Sequence, residues 1–299
     1  MHIPEYMLNG NICPVTAVIS AGSIGVATYM AIKTKNKPDI LRFVVVTSFI
    51  FLLQMLNFPV SQGTSGHFLG TTLAIFSLGI PFGIIVMSLI IAIQAIVFAD
   101  GGILVLGANI FNMALVGAIP SILTYKFIVD KERSLLIVLS SYISIILAAF
   151  SCSVMLVINN FSNALGIFYS MISVHALIGL GEILITMVVL KMIGFVYLGK
   201  SAKSLKFFIV FSILIVLLIL TPFASELPDG LEWVAEKYSI LKDKEPLFVS
   251  PMPDYSLPFI QNKILSTIFS ALMGIFITGF FSFFVGRIFG SKKLFYKNR

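Results

Sequence analysis

The first residues of the chain, MHIPEY, carry donor atoms that could bind a transition metal ion. In a chain that begins at Met1, the α-amine, the backbone nitrogen of His2 and the Nδ1 atom of its ring can grip one ion together, because adjacent donors close small chelate rings. The backbone nitrogen must lose its proton, which strong-field ions such as Ni²⁺ and Cu²⁺ can drive, and these ions favour a planar set of nitrogens. Pro4 supports this geometry because it biases Ile3 away from the helical conformation. These three donors leave one of the four coordination positions in the plane unfilled.

A loop that ends at His67 offers a fourth nitrogen. His67 is one of three histidines in the chain, and Gly63 and Gly66 would let the loop backbone approach an ion closely. Thr64 and Ser65 are candidate hydrogen-bond partners that would orient the imidazole. The spacing alone leaves a second interpretation open, in which the first histidine belongs to a flexible start and His67 is an ordinary loop residue.

Composition indicates the surroundings of such a site. Apolar residues make up 58% of the chain and charged residues only 11%, and the mean hydropathy is +1.04, far above the range of soluble domains. The sequence therefore predicts an integral membrane protein surrounded by lipid. The basic residues behind the net charge of +7 cluster between apolar segments and indicate orientation, so we expect no nucleic-acid partner. Cys13 and Cys152 both lie in apolar stretches, which argues against a disulfide framework and a thiolate site.

The apolar segments predict an all-α fold with nine membrane spans. Segments that can cross about 30 Å of hydrocarbon, or shorter ones buried by their neighbours, occur at 12–32, 41–56, 68–79, 81–98, 103–126, 134–158, 162–190, 206–223 and 264–287. Only the glycines and the proline of 79–83 separate the third span from the fourth. A merged or re-entrant element is the alternative there.

The basic residues predict the orientation, because cytoplasmic loops carry an excess of Lys and Arg. An outer N-terminus and an inner C-terminus place 16 basic residues inside and four outside. The inside set is Lys33, Lys35, Lys37, Arg42, Lys126, Lys131, Arg133, Lys191, Lys200, Lys203, Lys206, Arg287, Lys292, Lys293, Lys297 and Arg299, and the outside set is Lys237, Lys242, Lys244 and Lys263. The start of the chain and the His67 loop then share the outer face. No signal peptide is evident, and the bulky His2 should protect Met1 from aminopeptidase trimming.

The chain is expected to divide into a seven-span metal-binding unit, 1–200, and a two-span hairpin, 201–299. The hairpin surrounds an external segment, about 224–263, that holds seven of the 13 acidic residues. The sequence has no G-x-x-x-x-G-K-[ST] phosphate loop, hydrolytic motif or carboxylate pair at one membrane depth. We therefore expect neither an ATPase nor another enzyme.

Polar residues inside the predicted spans are candidates for positioning a metal or lining its path. His175 and Glu182 share one face of the seventh span, at i and i+7, and ionisable groups at membrane depth are functional candidates. Asn109 and Asn112 in the fifth span, and Asp100 just before it, have the same status. Interhelical hydrogen bonding is the alternative interpretation that stays open for these residues.

Several stretches of the sequence resemble one family of membrane proteins. They are the start MHIPE, the loop GTSGHFLG at 63–70, the run FADGGILVLGANIFNMALVG at 98–117 and HALIGLGEILIT at 175–186. Together they look like the substrate-specificity component of energy-coupling factor (ECF) transporters for cobalt and nickel, the CbiM/NikM family, over about 1–200. ELPDGLEWVAEK at 226–237 resembles the PDGLE segment of the accessory N component (CbiN/NikN-like), here fused to the C-terminus.

The resemblance implies a transport subunit in the plasma (inner) membrane of a prokaryote. Its metal ligands would be the Met1 amine, the backbone nitrogen and ring of His2, and the ring of His67. No permanent cofactor is implied, since Ni²⁺ or Co²⁺ is the transported substrate. The implied partners are a transmembrane coupling protein (T or Q subunit) and cytoplasmic ATPase (A or O) subunits.

The loop sequence favours nickel over cobalt as the substrate. In cobalt members of the family the loop reads more like S-C-S-H-P-T-G, and this departure, together with the fused hairpin, leans towards nickel. A membrane metal sensor, which would need an output domain, and a proton-coupled carrier with His175 and Glu182 as its relay are the alternatives.

Overall fold

The computed structural model describes residues 1–61, 63–125, 133–159, 163–198, 203–240 and 248–291. Over these residues the protein is mostly helical, and six helices are long and apolar enough to cross a membrane: Ile12–Lys33, Ile80–Phe98, Leu106–Tyr125, Ser134–Ile158, Ala164–Gly194 and Lys263–Phe289. Two shorter apolar helices, Ile40–Met55 and Val210–Phe223, accompany them. The expectation of an α-helical, multi-pass membrane protein is confirmed.

The helices follow the predicted apolar segments. In chain order they are α1 Ile12–Lys33, α2 Ile40–Met55, α3 Thr71–Leu78, α4 Ile80–Phe98, α5 Leu106–Asn109, α6 Ile119–Tyr125, α7 Arg133–Ile158, α8 Ala164–Leu198, α9 Lys203–Leu220, α10 Gly230–Lys237 and α11 Lys263–Phe289. A π-helical turn, Ile110–Val116, joins α5 to α6, and 3₁₀ turns occupy Thr221–Phe223 and Pro253–Tyr255. Two short antiparallel strands, β1 Phe58–Pro59 and β2 Ser65–Gly66, form the loop before α3.

The third predicted span, 68–79, is a short helix in the structure. With eight residues, α3 is about 12 Å long, which is too short to cross the hydrocarbon by itself. Gly79, at φ 95°, separates it from α4, so the chain turns at the glycine that the sequence indicated. The apolar sequence reflects burial among other helices, because all eight residues of α3 are buried.

Two other predicted spans differ from the structure in detail. In the segment 103–126 the helix widens to a π-helical turn, where Gly117 N donates to Asn112 O at 3.0 Å. The segment 162–190 continues as α8 to 198, giving a helix of 35 residues that is about 52 Å long. Hydropathy detects neither feature, since both lie in uniformly apolar sequence.

The count of nine spans and the orientation of the chain stay predictions. Several of the basic residues on which the orientation depends lie outside the described residues: Lys126, Lys131, Lys200, Lys242, Lys244, Lys292, Lys293, Lys297 and Arg299.

Helix α11 packs along α2 and holds the C-terminal hairpin against the rest of the bundle. The approach is close because small residues line it: Gly274 lies against the ring of Phe51. A hydrogen bond of 2.7 Å between the hydroxyls of Thr47 and Ser282 crosses the same interface. The turn Pro253–Tyr255, just before α11, packs on α4. The segment between α9 and α11 therefore lies over the same end of the bundle as the start of the chain.

A pair of glycine substitutions in α11 tests this packing. A Cβ atom at Gly274 would overlap the Phe51 ring and lie 3.0 Å from Phe98, whereas one at Gly279 would meet Val44 at 3.6 Å, an ordinary contact. Both changes gain about 1 kcal/mol of helix propensity. We expect Gly274→Ala to lower the thermal unfolding midpoint in detergent, with overpacking that costs about 1–3 kcal/mol, and Gly279→Ala to leave it unchanged or raise it. Equal midpoints for the two variants would contradict the interface.

Candidate metal centre

The start of the chain is buried inside the protein. Met1, His2 and Ile3 are only 4%, 6% and 0% exposed. Asn109, at the end of α5, holds this segment, because its Oδ1 accepts from Ile3 N at 2.7 Å and its Nδ2 donates to Ile3 O at 3.1 Å. Gly102 N donates a further hydrogen bond of 3.3 Å to Ile3 O. The first residues therefore have a defined position within the bundle.

Three groups that the sequence singled out as metal ligands lie together at this buried start. The Met1 amine contacts His67 Nε2 directly, although 66 residues separate them in the chain. The rings of His2 and His67 stack, with centroids 5.3 Å apart and an angle of 14° between their planes. The structure thus brings an amine and two imidazoles to one place, and nitrogen donors of this kind suit late transition metals.

Hydrogen bonding fixes the ring of His67. Its Nδ1 lies 3.1 Å from Phe68 O, so a proton on Nδ1 donates to that carbonyl and leaves the Nε2 lone pair facing the Met1 amine. Burial, followed by the positive charge of the amine, lowers the pKa of His67 below its ordinary value. The ring is therefore neutral near pH 7, which is the form that binds a metal ion.

Glu182 on α8 anchors the backbone that follows His67. Its two carboxylate oxygens accept from Leu69 N at 2.7 Å and from Gly70 N at 3.0 Å. These amides precede α3, and a carboxylate satisfies such free donors at a helix start. The structure therefore places Glu182 beside the loop that carries His67, without contact to the amine.

His175, about two turns before Glu182 on α8, borders a small cavity beside Met1 and His67. The cavity has a volume of about 10 Å³, which is room for roughly one water-sized occupant. The Nδ1 atom of His175 lies 2.7 Å from Met171 O in the same helix. His175 thus lines the cavity beside the candidate site and does not join the contact between the amine and His67.

The remaining residues singled out from the sequence differ in their contacts. Thr64 Oγ1 donates to a carbonyl of its own loop at 3.0 Å, and Ser65 Oγ donates to Leu227 O in the C-terminal hairpin at 2.7 Å. Asn109 binds the backbone of Ile3 as described above. Asn112 is buried in the π-helical turn, and neither polar atom of its side chain has a hydrogen-bond partner among the described residues.

Asp229, from the C-terminal hairpin, contacts the site and was not identified from the sequence. Its Oδ2 lies 3.0 Å from the Met1 amine and 3.6 Å from His67 Nε2. Its Oδ1 accepts from the amides of Leu231 and Glu232, each at 2.8 Å, at the start of α10. The spacing D-G-L-E is a capping-box signal that could have located this aspartate at a helix start. No sequence signal indicated that the amine would be its partner.

The amine holds Asp229 in its ionised form. Burial acts to raise the pKa of the Asp229 carboxyl, but the charge of the amine opposes it, and the pKa lies well below its ordinary value. A buried carboxylate and a buried ammonium are stable together, since each would be costly if unpaired.

Asp100 contacts the opposite side of the site. Its Oδ1 lies 3.0 Å from His2 Nδ1, and its Oδ2 accepts a hydrogen bond of 2.5 Å from the hydroxyl of Tyr255. Burial acts to raise the pKa of Asp100, but His2 lowers it, and the pKa lies below its ordinary value. His2 Nδ1 therefore faces Asp100, whereas the chelate expected from the sequence uses this atom for the metal. His2 Nε2 is buried with no hydrogen-bond partner in the described part of the chain.

Metal transport proteins are similar to this chain in sequence and in fold. A protein of Archaeoglobus fulgidus, provisionally named the fused nickel transport protein NikMN, is 31% identical over 92% of this chain and 94% of its own length. The cobalt transport protein CbiM of Acetoanaerobium sticklandii is 33% identical over 56% of this chain and 75% of its own. The crystal structure of a truncated transition metal transporter superposes with a TM-score of 0.54, at 29% identity, over 64% of this chain and 97% of that one. This is a membrane protein of the metal transport class.

Two family models assign the chain within that class. The model described as the cobalt uptake substrate-specific transmembrane region, CbiM, matches residues 2–197, and the PDGLE domain matches residues 203–291. The chain belongs to the CbiM family and carries a PDGLE domain fused at its C-terminal side. Both resemblances noted in the sequence are confirmed.

Two asparagines of one helical stretch provide a matched test of how the start is held. Asn109→Ala removes both side-chain hydrogen bonds to Ile3 and leaves the buried Ile3 N–H group without a partner, at a cost of about 1–3 kcal/mol. Asn112→Ala removes no hydrogen bond within the described residues. We expect the first variant alone to expose the Met1 amine to an amine-reactive reagent, with faster labelling measured by mass spectrometry. Equal labelling of both variants would show that Asn109 does not hold the start.

Proposed function

We propose that this protein is the substrate-binding component of an ATP-driven ECF transporter that imports Ni²⁺, with Co²⁺ as the alternative substrate. The observation that carries the proposal is the meeting of the Met1 amine, His2 and His67 at one buried place. Nitrogen donors favour these ions and disfavour Mg²⁺ and Ca²⁺, which prefer oxygen ligands. The names of the relatives support metal uptake as the role.

In this proposal four nitrogens hold the ion in a plane. They are the Met1 amine, the backbone nitrogen of His2, the Nδ1 atom of His2 and the Nε2 atom of His67. The amine and Nε2 already face each other, and the His2 ring lies over the His67 ring. Binding through Nδ1 requires the His2 ring to make a half-turn about its Cβ–Cγ bond, which moves Nδ1 from the Asp100 side to the side that Cδ2 now occupies.

The charges of the site favour the exchange of protons for a divalent ion. Without metal, the protonated amine gives the donor set a charge of about +1, and Asp229 compensates it. With metal, the neutral amine, the deprotonated backbone nitrogen and the divalent ion again sum to about +1. The negative charge of Asp229 therefore compensates the donor set both with and without metal. The incoming ion replaces two protons, and no buried charge is left unpaired.

The units and partners of the transporter follow from the same reasoning. Residues 1–200 form the metal-binding unit, and residues 201–299 form the hairpin whose external part covers it. The sequence has no phosphate loop, so ATP hydrolysis belongs to separate cytoplasmic subunits, joined through a transmembrane coupling protein. The compartment is the plasma membrane of a prokaryote.

Nickel is favoured over cobalt for two reasons. A planar set of four nitrogens that includes a deprotonated backbone nitrogen suits low-spin Ni²⁺ best. The relative that shares the fused architecture carries a nickel name, whereas the CbiM relative, similar over 56% of this chain, carries a cobalt name.

No contact among the described residues favours the proton-coupled carrier. Such a carrier would use His175 and Glu182 as a relay, but both oxygens of Glu182 accept from backbone amides. The Nδ1 atom of His175 faces a carbonyl of its own helix. These contacts hold the loop and the helix, and they do not form a chain of proton carriers.

Moving the amine tests the ligand set. Two alanines added ahead of Met1 keep both imidazoles but displace the free amine and break the chelate. A single added residue is unsuitable, because it would place the histidine third and create a new planar Ni²⁺ site from the amine, two backbone nitrogens and the ring. We expect nickel affinity, measured by competition with a chromogenic chelator, to fall more than about 100-fold, because one chelate ring is lost and a buried amine loses its place. The control carries the same two alanines after Arg299. Native affinity in the extended variant would remove Met1 from the ligands.

Proton release tests the backbone nitrogen. Replacement of one amine proton and one amide proton by Ni²⁺ releases two protons per ion, since the lowered pKa of His67 leaves that ring with none to lose. Apparent affinity should therefore fall about 100-fold for each unit by which pH is lowered. Calorimetry in buffers of different ionisation enthalpy measures the number directly. A value below one proton would exclude the His2 backbone nitrogen as a ligand.

A further inference from the structure

The C-terminal hairpin reaches the start of the chain at a second point besides Asp229. Tyr255, in the turn just before α11, donates its hydroxyl to Asp100 Oδ2 at 2.5 Å. The other oxygen of the same carboxylate lies 3.0 Å from His2 Nδ1. A continuous line of hydrogen bonds therefore runs from the hairpin to the ring of a proposed metal ligand.

Packing fixes the position of Tyr255. Its ring stacks on Phe98 with centroids 4.7 Å apart and an angle of 21°, and it meets the edge of Phe51 at 6.2 Å. Met252, just before it, is buried in the same cluster. These aromatic contacts hold the hydroxyl at one place over the end of α4.

The backbone at this point is in an uncommon conformation. Asp254 and Tyr255 both have positive φ, 49° and 53°, a region that residues with a Cβ atom rarely adopt. Strained backbone of this kind persists where surrounding contacts require it, and it is concentrated at functional sites. Here the contacts in question are the stack on Phe98 and the hydrogen bond to Asp100.

We propose that Tyr255 is a positioning residue for metal capture, which acts through Asp100 to fix the orientation of the His2 ring. This inference rests on the proposed function of the site. A carboxylate that binds the non-coordinating nitrogen of a histidine fixes the ring and raises its basicity as a ligand. Once the His2 ring has made the half-turn that turns Nδ1 to the metal, Asp100 is that carboxylate for Nε2, and the hydroxyl of Tyr255 holds the carboxylate in place.

The unpartnered nitrogen of His2 agrees with this role. In the structure Nδ1 faces Asp100 and the buried Nε2 has no partner among the described residues. A half-turn of the ring exchanges Nδ1 with Cδ2 and Nε2 with Cε1, which is the neighbour of Nδ1 in the ring. Nδ1 then turns away from Asp100 to the metal, and the Nε2–H group comes to the side of Asp100. In the orientation that binds metal, both ring nitrogens therefore have a partner: the metal for Nδ1 and the carboxylate of Asp100 for Nε2.

The test uses the full chain and the variant Tyr255→Phe, which keeps the aromatic stack and removes only the hydroxyl. We expect its Ni²⁺ dissociation constant, measured by chelator competition, to rise about tenfold, at the lower end of the range for residues that support metal ligands. Tyr238→Phe is the matched control, because the hydroxyl of Tyr238 bonds Ser170 at 3.0 Å, in another part of the same external segment. That variant should bind as the unmodified chain does.

A second background separates positioning from a general effect on the fold. Asp100→Ala removes the link between Tyr255 and His2, so in that background Tyr255→Phe should weaken binding no further. Wild-type affinity in the single Tyr255→Phe variant, or an equal loss in both backgrounds, would overturn the inference while the proposed function stands. Failure of the unmodified chain to bind Ni²⁺ or Co²⁺ would overturn the proposed function, and the inference with it.

Discussion

The ion pair between the Met1 amine and Asp229 is the contact on which the arrangement of the site depends. A charged amine that is 4% exposed is stable only beside a group of opposite charge, and Asp229 supplies it at 3.0 Å from a position 228 residues away. Because the pair joins the first residue to the C-terminal hairpin, burial of the start requires the hairpin to lie over it. Ser65 extends the same contact, since its amide donates to Pro228 O at 2.8 Å.

The other contacts hold the start of the chain and the His67 loop in place before an ion arrives. Asn109 holds the backbone of Ile3, and Glu182 holds the two amides after the His67 loop. Such pre-organisation lowers the ordering cost of binding, because the free energy of metal binding is not spent on folding the loop. Membrane burial strengthens this effect, since buried polar groups here have few alternative partners in water. The rigid helices α5 and α8 therefore determine where the donors lie.

Hydropathy in the sequence predicted the long helices closely, because their length and apolarity reflect the lipid around them. The predicted segment 81–98 is Ile80–Phe98, and 264–287 is Lys263–Phe289. The π-helical turn was missed, and the short α3 was predicted as a membrane span, since burial inside the bundle gives the same apolar composition as lipid contact. Hydropathy also carries no information about which connecting loops contact one another.

For the site, too, the sequence predicted some features and did not reveal others. The donor types of positions 1, 2 and 67 were readable from the sequence, and the structure brings these positions together. Their role as ligands is a proposal in both cases. Asp229 and Tyr255 were not readable, because each is an ordinary residue of the segment between α9 and α11 until tertiary packing gives it a partner. The capping box around Asp229 indicated a helix start, and the PDGLE resemblance indicated a family segment, but neither indicated a partner for the amine.

X-ray absorption spectroscopy of the nickel-loaded full chain, with its native start, tests the central claim most directly. The account predicts a planar ion with four nitrogen donors, at least two of them imidazoles, and no sulfur or carboxylate oxygen among the ligands. An octahedral ion with oxygen donors, or direct binding to the carboxylate of Asp229, would contradict it.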